Sequence, residues 1–302
     1  MNEIISQFEA YLLSEKRVSK NTFVAYANDI EQFAIFLREN EKLLKNVNNK
    51  DLKAFLRHLK VKEGIGARSL SRKISTLKTF FLYLHERHGY INFASDLVFP
   101  KLEKRLPEYL SEQEVEKLFE FTAKDASDQG KRNHVMLVLL YSTGMRVTEL
   151  VKLTLGDIQF DVGVVTVSGK GGKERLIPLT QPVLVLLRDY LQVIHPRLIN
   201  KKSGNKVNDF LFPVCYGNSI KHISRQAFWA ILKRVAVPIL SKKSISPHKF
   251  RHSLATHMLK RGVDLRSLQM LLGHENLSTV EIYTHVDLGY ARKVYDKKHP
   301  RS

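Results

Sequence analysis

Cysteine is nearly absent from this chain: Cys215 is the single one in 302 residues. One thiol excludes an internal disulfide framework and any cysteine-based metal cluster. No apolar run approaches the length of a membrane-spanning helix. The opening MNEIISQFEAYLLSEKRVSK mixes acids among its apolar positions, unlike a signal peptide. The cytoplasm is therefore the expected location. GKGGK at 169–173 lacks the Walker spacing, which excludes a P-loop. No internal repeat or low-complexity segment is present. Acidic charge is also scarce, with 30 Asp and Glu against 49 Lys and Arg, a net +19. The excess is not one tail: residues 1–106 hold 19 basic and 12 acidic residues, and the remainder 30 and 18. Such a chain suits contact with a polyanion through both parts, although a solvated basic surface has the same composition.

What is present is enough apolar residue, 43%, to bury a core, and enough length for two domains. Residues 1–98 read as four helices. Ile4, Ile5, Phe8, Tyr11 and Leu12 repeat with helical period, and Ser19 caps a second helix carrying Phe23, Tyr26, Ile30, Phe33 and Leu37. Asp51 is expected to open a third. After EGIG a fourth runs over 67–88, with Leu70, Ile74, Leu77 and Phe81 inward and Arg68, Arg72, Lys73 and Lys78 on other faces. Those cations either meet phosphates or sit in solvent. PKLEKRLPEYLS, bracketed by prolines, reads as a linker over 99–110, which leaves a second domain over 111–302.

That second domain opens with a capping pattern, Ser111 and Glu114. An apolar helix over 134–141 then runs into TGMRVTEL, where Gly144 breaks it and Arg146 starts the next helix. GVVTVSGKGGKERLIPL at 163–179 is the one clear β element, a hairpin with Lys170 at its turn. Further helices are expected over 182–193 and 224–235, separated by a polar loop, with Trp229 in the core of the latter.

The stretch SPHKFRHSLATHMLKRGVDLRSLQMLLGHENLSTVEIYTHV at 246–286 concentrates the chemistry. His248 and Arg251, three apart, share one helix face and can converge on one anion. Leu254, Ala255 and Met258 lie behind them. LLGH ends a second apolar stretch at His274, and Tyr283 follows nine residues later. Two imidazoles, a guanidinium and a phenol in forty residues suit the handling of a phosphodiester. No acidic cluster accompanies these motifs, so neither metal nor other cofactor is expected.

TGMRVTEL, GKGGKERLIPL, HKFRHSLATHML, LLGHENLST and IYTHV resemble, in order and spacing, the signature segments of the tyrosine recombinase (phage integrase) family. The likeness is greatest to the bacterial Xer recombinases, XerC and XerD, and extends over the whole chain. It implies a mainly α fold: an N-terminal four-helix, SAM-like core-binding domain, then a mostly helical catalytic domain with a small antiparallel sheet. It implies Tyr283 as the nucleophile forming a 3′-phosphotyrosyl bond, with Arg146, Lys170, His248, Arg251 and His274 completing the catalytic set. The partners implied are double-stranded DNA at a dif-like site, a homo- or hetero-tetramer with a Xer paralogue, and the translocase FtsK. Residues 287–302 would be the helix that docks into a neighbouring protomer. The role implied is resolution of chromosome dimers before cell division. Within the same chemistry, a mobile-element integrase or a type IB topoisomerase stands as the alternative, and outside it a basic DNA-binding protein with vestigial motifs.

Overall fold

The computed structural model describes residues 1–101, 108–169, 174–200, 209–216, 219–240 and 245–272. The chain divides into two compact units, Met1–Leu106 and Pro107–Ser302. Among the described residues no helix is long and apolar enough to cross a membrane.

The first unit holds α1 (Asn2–Ser14), α2 (Lys20–Glu39), α3 (Asn49–Val61) and α4 (Ala67–His88). The starts of α2 and α3 have a local cause. The Ser19 side chain accepts from Thr22 N–H at 3.3 Å and opens α2. The third helix begins earlier than expected: Asn48 is its cap, and Asp51 is the reciprocal partner three residues on, accepting from Asn48 N–H at 2.8 Å. At the other end of α4, Gly89 takes φ +69° and stops the helix. The apolar stripes of the four helices meet on Phe8, Leu12, Phe33, Leu37, Phe55, Leu77, Phe80 and Phe81, all at most 1% exposed.

One basic residue of α4 departs from the sequence reading. Lys73 is not on an outer face; it is 6% exposed and its ammonium lies 2.8 Å from Asp29 Oδ1. Asp29, itself 4% exposed, also receives Arg72 and the Thr76 hydroxyl. Lys73 further contacts Gln32 Oε1. The Asp29 carboxylate on α2 draws Lys73 inward, because a buried charge is tolerated only when paired, while Arg72 reaches it from an exposed position. Lys78 donates to Ser95 O at 2.9 Å and lies over the Phe99 ring.

In the second unit α5 (Glu112–Ala123) carries the expected Ser111–Glu114 capping box. It packs on α6 (Asp128–Thr143), which is longer than the stretch read from periodicity because Ser127 caps it through Gly130 N–H. Twelve residues of α6 are buried, so it forms the axis of this unit. Next come α7 (Val147–Leu150) and a three-stranded antiparallel sheet, β1 (Ile158–Gln159), β2 (Val164–Ser168) and β3 (Glu174–Pro178), in order β1-β2-β3. The β2–β3 register sets Val165 against Ile177 and Val167 against Arg175. The helix expected over 182–193 is α8 (Gln181–Asp189), and it does not give way to a loop. It passes through one π turn, Tyr190–Ile194, into α9 (His195–Asn200). His195 N–H reaches Tyr190 O five residues back, directly before Pro196, which lacks an N–H and crowds the preceding turn.

A second pair, β4 (Pro213–Tyr216) and β5 (Ser219–His222), was not expected from the sequence. Four-residue strands carry too few alternating positions to register as a period. Then follow α10 (Arg225–Leu240), α11 (Pro247–Lys260) and α12 (Leu265–Leu272). Trp229 is not in the core: it is 43% exposed, with Lys233 Nζ 3.8 Å from its ring centroid. Phe228, Leu232, Val235 and Ala236 take the inward face of α10, and a residue beside Phe228 lies ~100° round the helix from it.

The turn after α6 depends on Gly144, which sits at φ +60°. A Cβ there would stand 2.6 Å from Leu272 Cδ2 and 2.9 Å from Leu254 Cδ2. Gly144→Ala should therefore destabilise the second unit by about 2 kcal/mol, from left-handed backbone strain plus overpacking. Urea unfolding checks this, and an unchanged midpoint would contradict it.

Candidate active site

Three arginines and one carboxylate meet where α6, α7, β3 and α11 converge. Gly144 turns the chain so that Arg146 becomes the cap residue of α7. Glu149, three residues on, closes a capping box: its Oε2 accepts from Arg146 N–H at 2.7 Å and its Oε1 from Arg146 Nη1 at 3.1 Å. The same carboxylate is held from β3 by a bidentate fork, Arg175 Nη1 to Oε1 at 3.0 Å and Nη2 to Oε2 at 2.7 Å. Glu149 is 7% exposed and Arg175 9%. Burial pushes the Glu149 carboxyl upward as the largest single influence. The Arg175 fork, the Arg146 N–H, the Arg175 charge and the Arg146 side-chain hydrogen bond together outweigh it, leaving Glu149 below the usual range and ionised.

Arg251 enters from α11. Ser246 caps this helix through Lys249 N–H at 3.2 Å, with Pro247 in its first turn. Arg251 lies one turn in and is 8% exposed. Its Nη1 donates to Gly144 O at 2.8 Å and its Nη2 to Leu272 O. Burial lowers its pKa to about 10, with further lowering from the Arg146 and Arg175 charges and partial relief from Glu149. It stays protonated at neutral pH. The guanidiniums of Arg146, Arg175 and Arg251 are thus near enough to repel one another, with one carboxylate among them. That arrangement has an excess of two positive charges and suits an oxyanion.

Of the six residues singled out from sequence, the fold brings Arg146 and Arg251 together across more than a hundred positions. His248 lies in the first turn of α11, but it is exposed where Arg251 is buried. Lys170, His274 and Tyr283 lie outside the described residues, as does the segment 287–302. Leu254 and Met258 are buried behind Arg251, and Ala255 packs against that core, as their helical spacing implied. Two members of the cluster, Glu149 and Arg175, were assigned only to a helix and a strand. The R-x-x-E spacing at 146–149 was the available signal for the first. Nothing local marks Arg175. Among the described residues no group of three His, Cys, Asp or Glu could hold a metal ion.

Residues 108–289 match the phage integrase family, and residues 5–88 match its N-terminal SAM-like domain. The chain belongs to this family: it is a tyrosine recombinase. The resemblance read from TGMRVTEL and the later segments holds, as does the mainly α fold with a small antiparallel sheet. Among tyrosine recombinases, XerC of Oceanobacillus iheyensis is 41% identical over 308 residues, covering 100% of this chain and 98% of that protein. XerD of Listeria innocua is 39% identical, covering 100% of both. Near-equal identity to two paralogues leaves the chain between them. In fold, the XerH recombinase bound to difH substrate in a pre-cleavage complex superposes with a TM-score of 0.68 at 23% identity, covering 96% of this chain and 80% of that one. A lambda integrase dimer bound to a COC′ core site gives 0.68 at 18%, covering 93% and 99%.

Proposed function

We propose that this recombinase cuts and rejoins duplex DNA at a dif-like site through a 3′-phosphotyrosyl bond on Tyr283, and that it resolves chromosome dimers for segregation at cell division. The observation that carries the reading is the pair Arg146 and Arg251. Each comes from a separate signature segment, and the fold sets both near the buried Glu149 carboxylate. Two rigid forks there suit the non-bridging oxygens of a scissile phosphate, whose charge grows from one to two as the pentacoordinate state forms.

In this reading the Tyr283 phenol gives up its proton to a basic group of the site, its oxygen attacks phosphorus, the bond to the 5′ oxygen breaks, and the phosphate ester passes to the phenol. Lys170 supplies the proton that the departing 5′ oxygen takes up, while His248 assists proton transfer and His274 donates to the phosphate. The phosphotyrosyl bond retains the energy of the broken one, so rejoining needs no nucleotide. The resemblance to Xer recombinases, strengthened by relatives named XerC and XerD, implies a tetramer, with itself or with a paralogue, on two DNA sites in the cytoplasm, with FtsK as the further partner. Identity of 41% and 39% to relatives named XerC and XerD, against 18% to lambda integrase, favours the chromosomal role over a mobile-element integrase.

The test is a dif-like duplex nicked beside the scissile phosphate, which lets the cut end diffuse away and traps the covalent adduct on a denaturing gel. The expected result is a slow, protease-sensitive band that Tyr283→Phe abolishes while duplex binding persists. A band unaffected by Tyr283→Phe would refute the assignment of the nucleophile.

A further inference from the structure

Arg175 and Glu149 form a second layer behind the arginine pair. We propose that Arg175 is a positioning residue for strand cleavage, acting through Glu149 to aim the Arg146 guanidinium. The inference rests on the reading of Arg146 as a phosphate clamp and adds a residue to it.

Three observations carry it. The first is the geometry of the relay. Glu149 Oε1 accepts from both Arg146 Nη1 and Arg175 Nη1, at 3.1 and 3.0 Å, while Oε2 accepts from the Arg146 backbone and Arg175 Nη2, both at 2.7 Å. With Arg175 in place the carboxylate is gripped on both oxygens and cannot rotate away from Arg146. Without it, one backbone N–H and one side-chain contact remain.

The second is that the arrangement is poor value as a stability device. Arg175 is 9% exposed, and among the described residues its Nε–H has no hydrogen-bond partner. An orphaned buried donor is costly, and a buried ion pair is often no more stable than apolar side chains of the same volume. Arg175 sits opposite Val167 in the register, on a sheet otherwise packed with Val165, Ile177 and Val164. An aliphatic residue would suit that position if packing were the sole demand.

The third is electrostatic. The Arg175 charge reaches Arg251, since it is among the groups that lower the Arg251 pKa. It therefore adds to the positive field that a phosphate gaining charge would meet, from a side chain whose nitrogens already grip Glu149. The chain connectivity reinforces the point. Arg175 stands in β3, the strand that follows Lys170 in the chain, so the fork ties that strand to the start of α7, where Arg146 is.

The experiment measures single-turnover adduct formation on the nicked dif-like duplex, and duplex affinity separately, for Arg175→Gln, Arg175→Lys, Glu149→Gln and the double variant Glu149→Gln/Arg175→Gln. Both Arg175 variants should form adduct about 10- to 100-fold more slowly, the size of a misaimed catalytic group, with affinity unchanged. The loss in Arg175→Gln should deepen as pH falls. Burial then acts on Glu149 with less opposition, raises its pKa, and protonation frees Arg146. In Glu149→Gln the further substitution of Arg175 should cost about threefold at most, because the relay is already cut. Undiminished cleavage in both Arg175 variants overturns the inference. So do losses of binding and cleavage in equal proportion that multiply in the double variant, which is what a purely structural role gives. If Arg175→Gln does not fold, Arg175→Lys, which keeps the charge and loses the fork, decides alone. A Tyr283-dependent adduct in the unchanged protein, with Arg175 variants at full rate, sinks this inference only. An unchanged protein whose adduct ignores Tyr283→Phe sinks the site reading and the inference with it.

Discussion

Replacing Arg251 with lysine should slow adduct formation by about 10²- to 10³-fold while duplex affinity changes little, the loss typical of one oxyanion-stabilising donor. The charge is nominally kept, so the effect comes from shape and burial. The Arg251 fork reaches two carbonyls at once, Gly144 O at the end of α6 and Leu272 O at the end of α12. A guanidinium has five N–H donors in a rigid plane, enough to grip both carbonyls and a phosphate oxygen together. An ammonium has three, on a flexible stem, and cannot span that geometry. Burial already lowers Arg251 to about 10, and a lysine in the same place starts from a lower intrinsic value and falls further. The lysine form loses its proton as pH rises and regains it as pH falls. Its deficit relative to the unchanged protein should therefore widen with increasing pH. A constant ratio across the pH range would show that geometry alone is responsible, and an unimpaired rate would remove Arg251 from the clamp.

Asp29→Ala should destabilise the first unit by about 3–5 kcal/mol. Asp29 is 4% exposed and receives Lys73 Nζ at 2.8 Å and Thr76 Oγ1 at 2.9 Å, together with Arg72. Truncation leaves a 6% exposed ammonium without its carboxylate, which is far worse than removing both. The double variant Asp29→Leu/Lys73→Met should recover most of the loss. Urea unfolding of the full chain, followed by hydrogen exchange resolved onto residues of α2 and α4, measures both variants. Equal loss in the single and double variants would place the stability in the hydrogen bonds to Thr76 and Arg72, and would exclude the uncompensated charge as the cause.

The departures from the sequence reading share a cause. Lys73 reads as a surface cation because a lysine gives no local sign of a carboxylate forty-four residues away. Trp229 reads as core because a large aromatic between apolar residues usually is, yet the inward face of α10 is set by Phe228 and Leu232 one step round the helix. β4 and β5 were missed because four residues a strand fall below what alternation can reveal. Glu149 was seen as a helix residue and Arg175 as a strand residue, and neither pattern says that they touch.

What the sequence by itself determined was local. The capping pairs at Ser19 and at Ser111 with Glu114, the period of the helical stripes, the glycine break at Gly144 and the valine-rich hairpin each act within a few residues, so each was legible. The motif segments likewise sufficed to recognise the family. Tertiary structure decided the rest. It brought Arg146, Arg175 and Arg251 around one carboxylate, aimed two backbone carbonyls at Arg251, and turned Lys73 inward to Asp29. Those are interactions between charges far apart in the chain, and their energies depend on burial and distance, which only the folded packing of α6, α7, β3 and α11, and of α2 against α4, supplies.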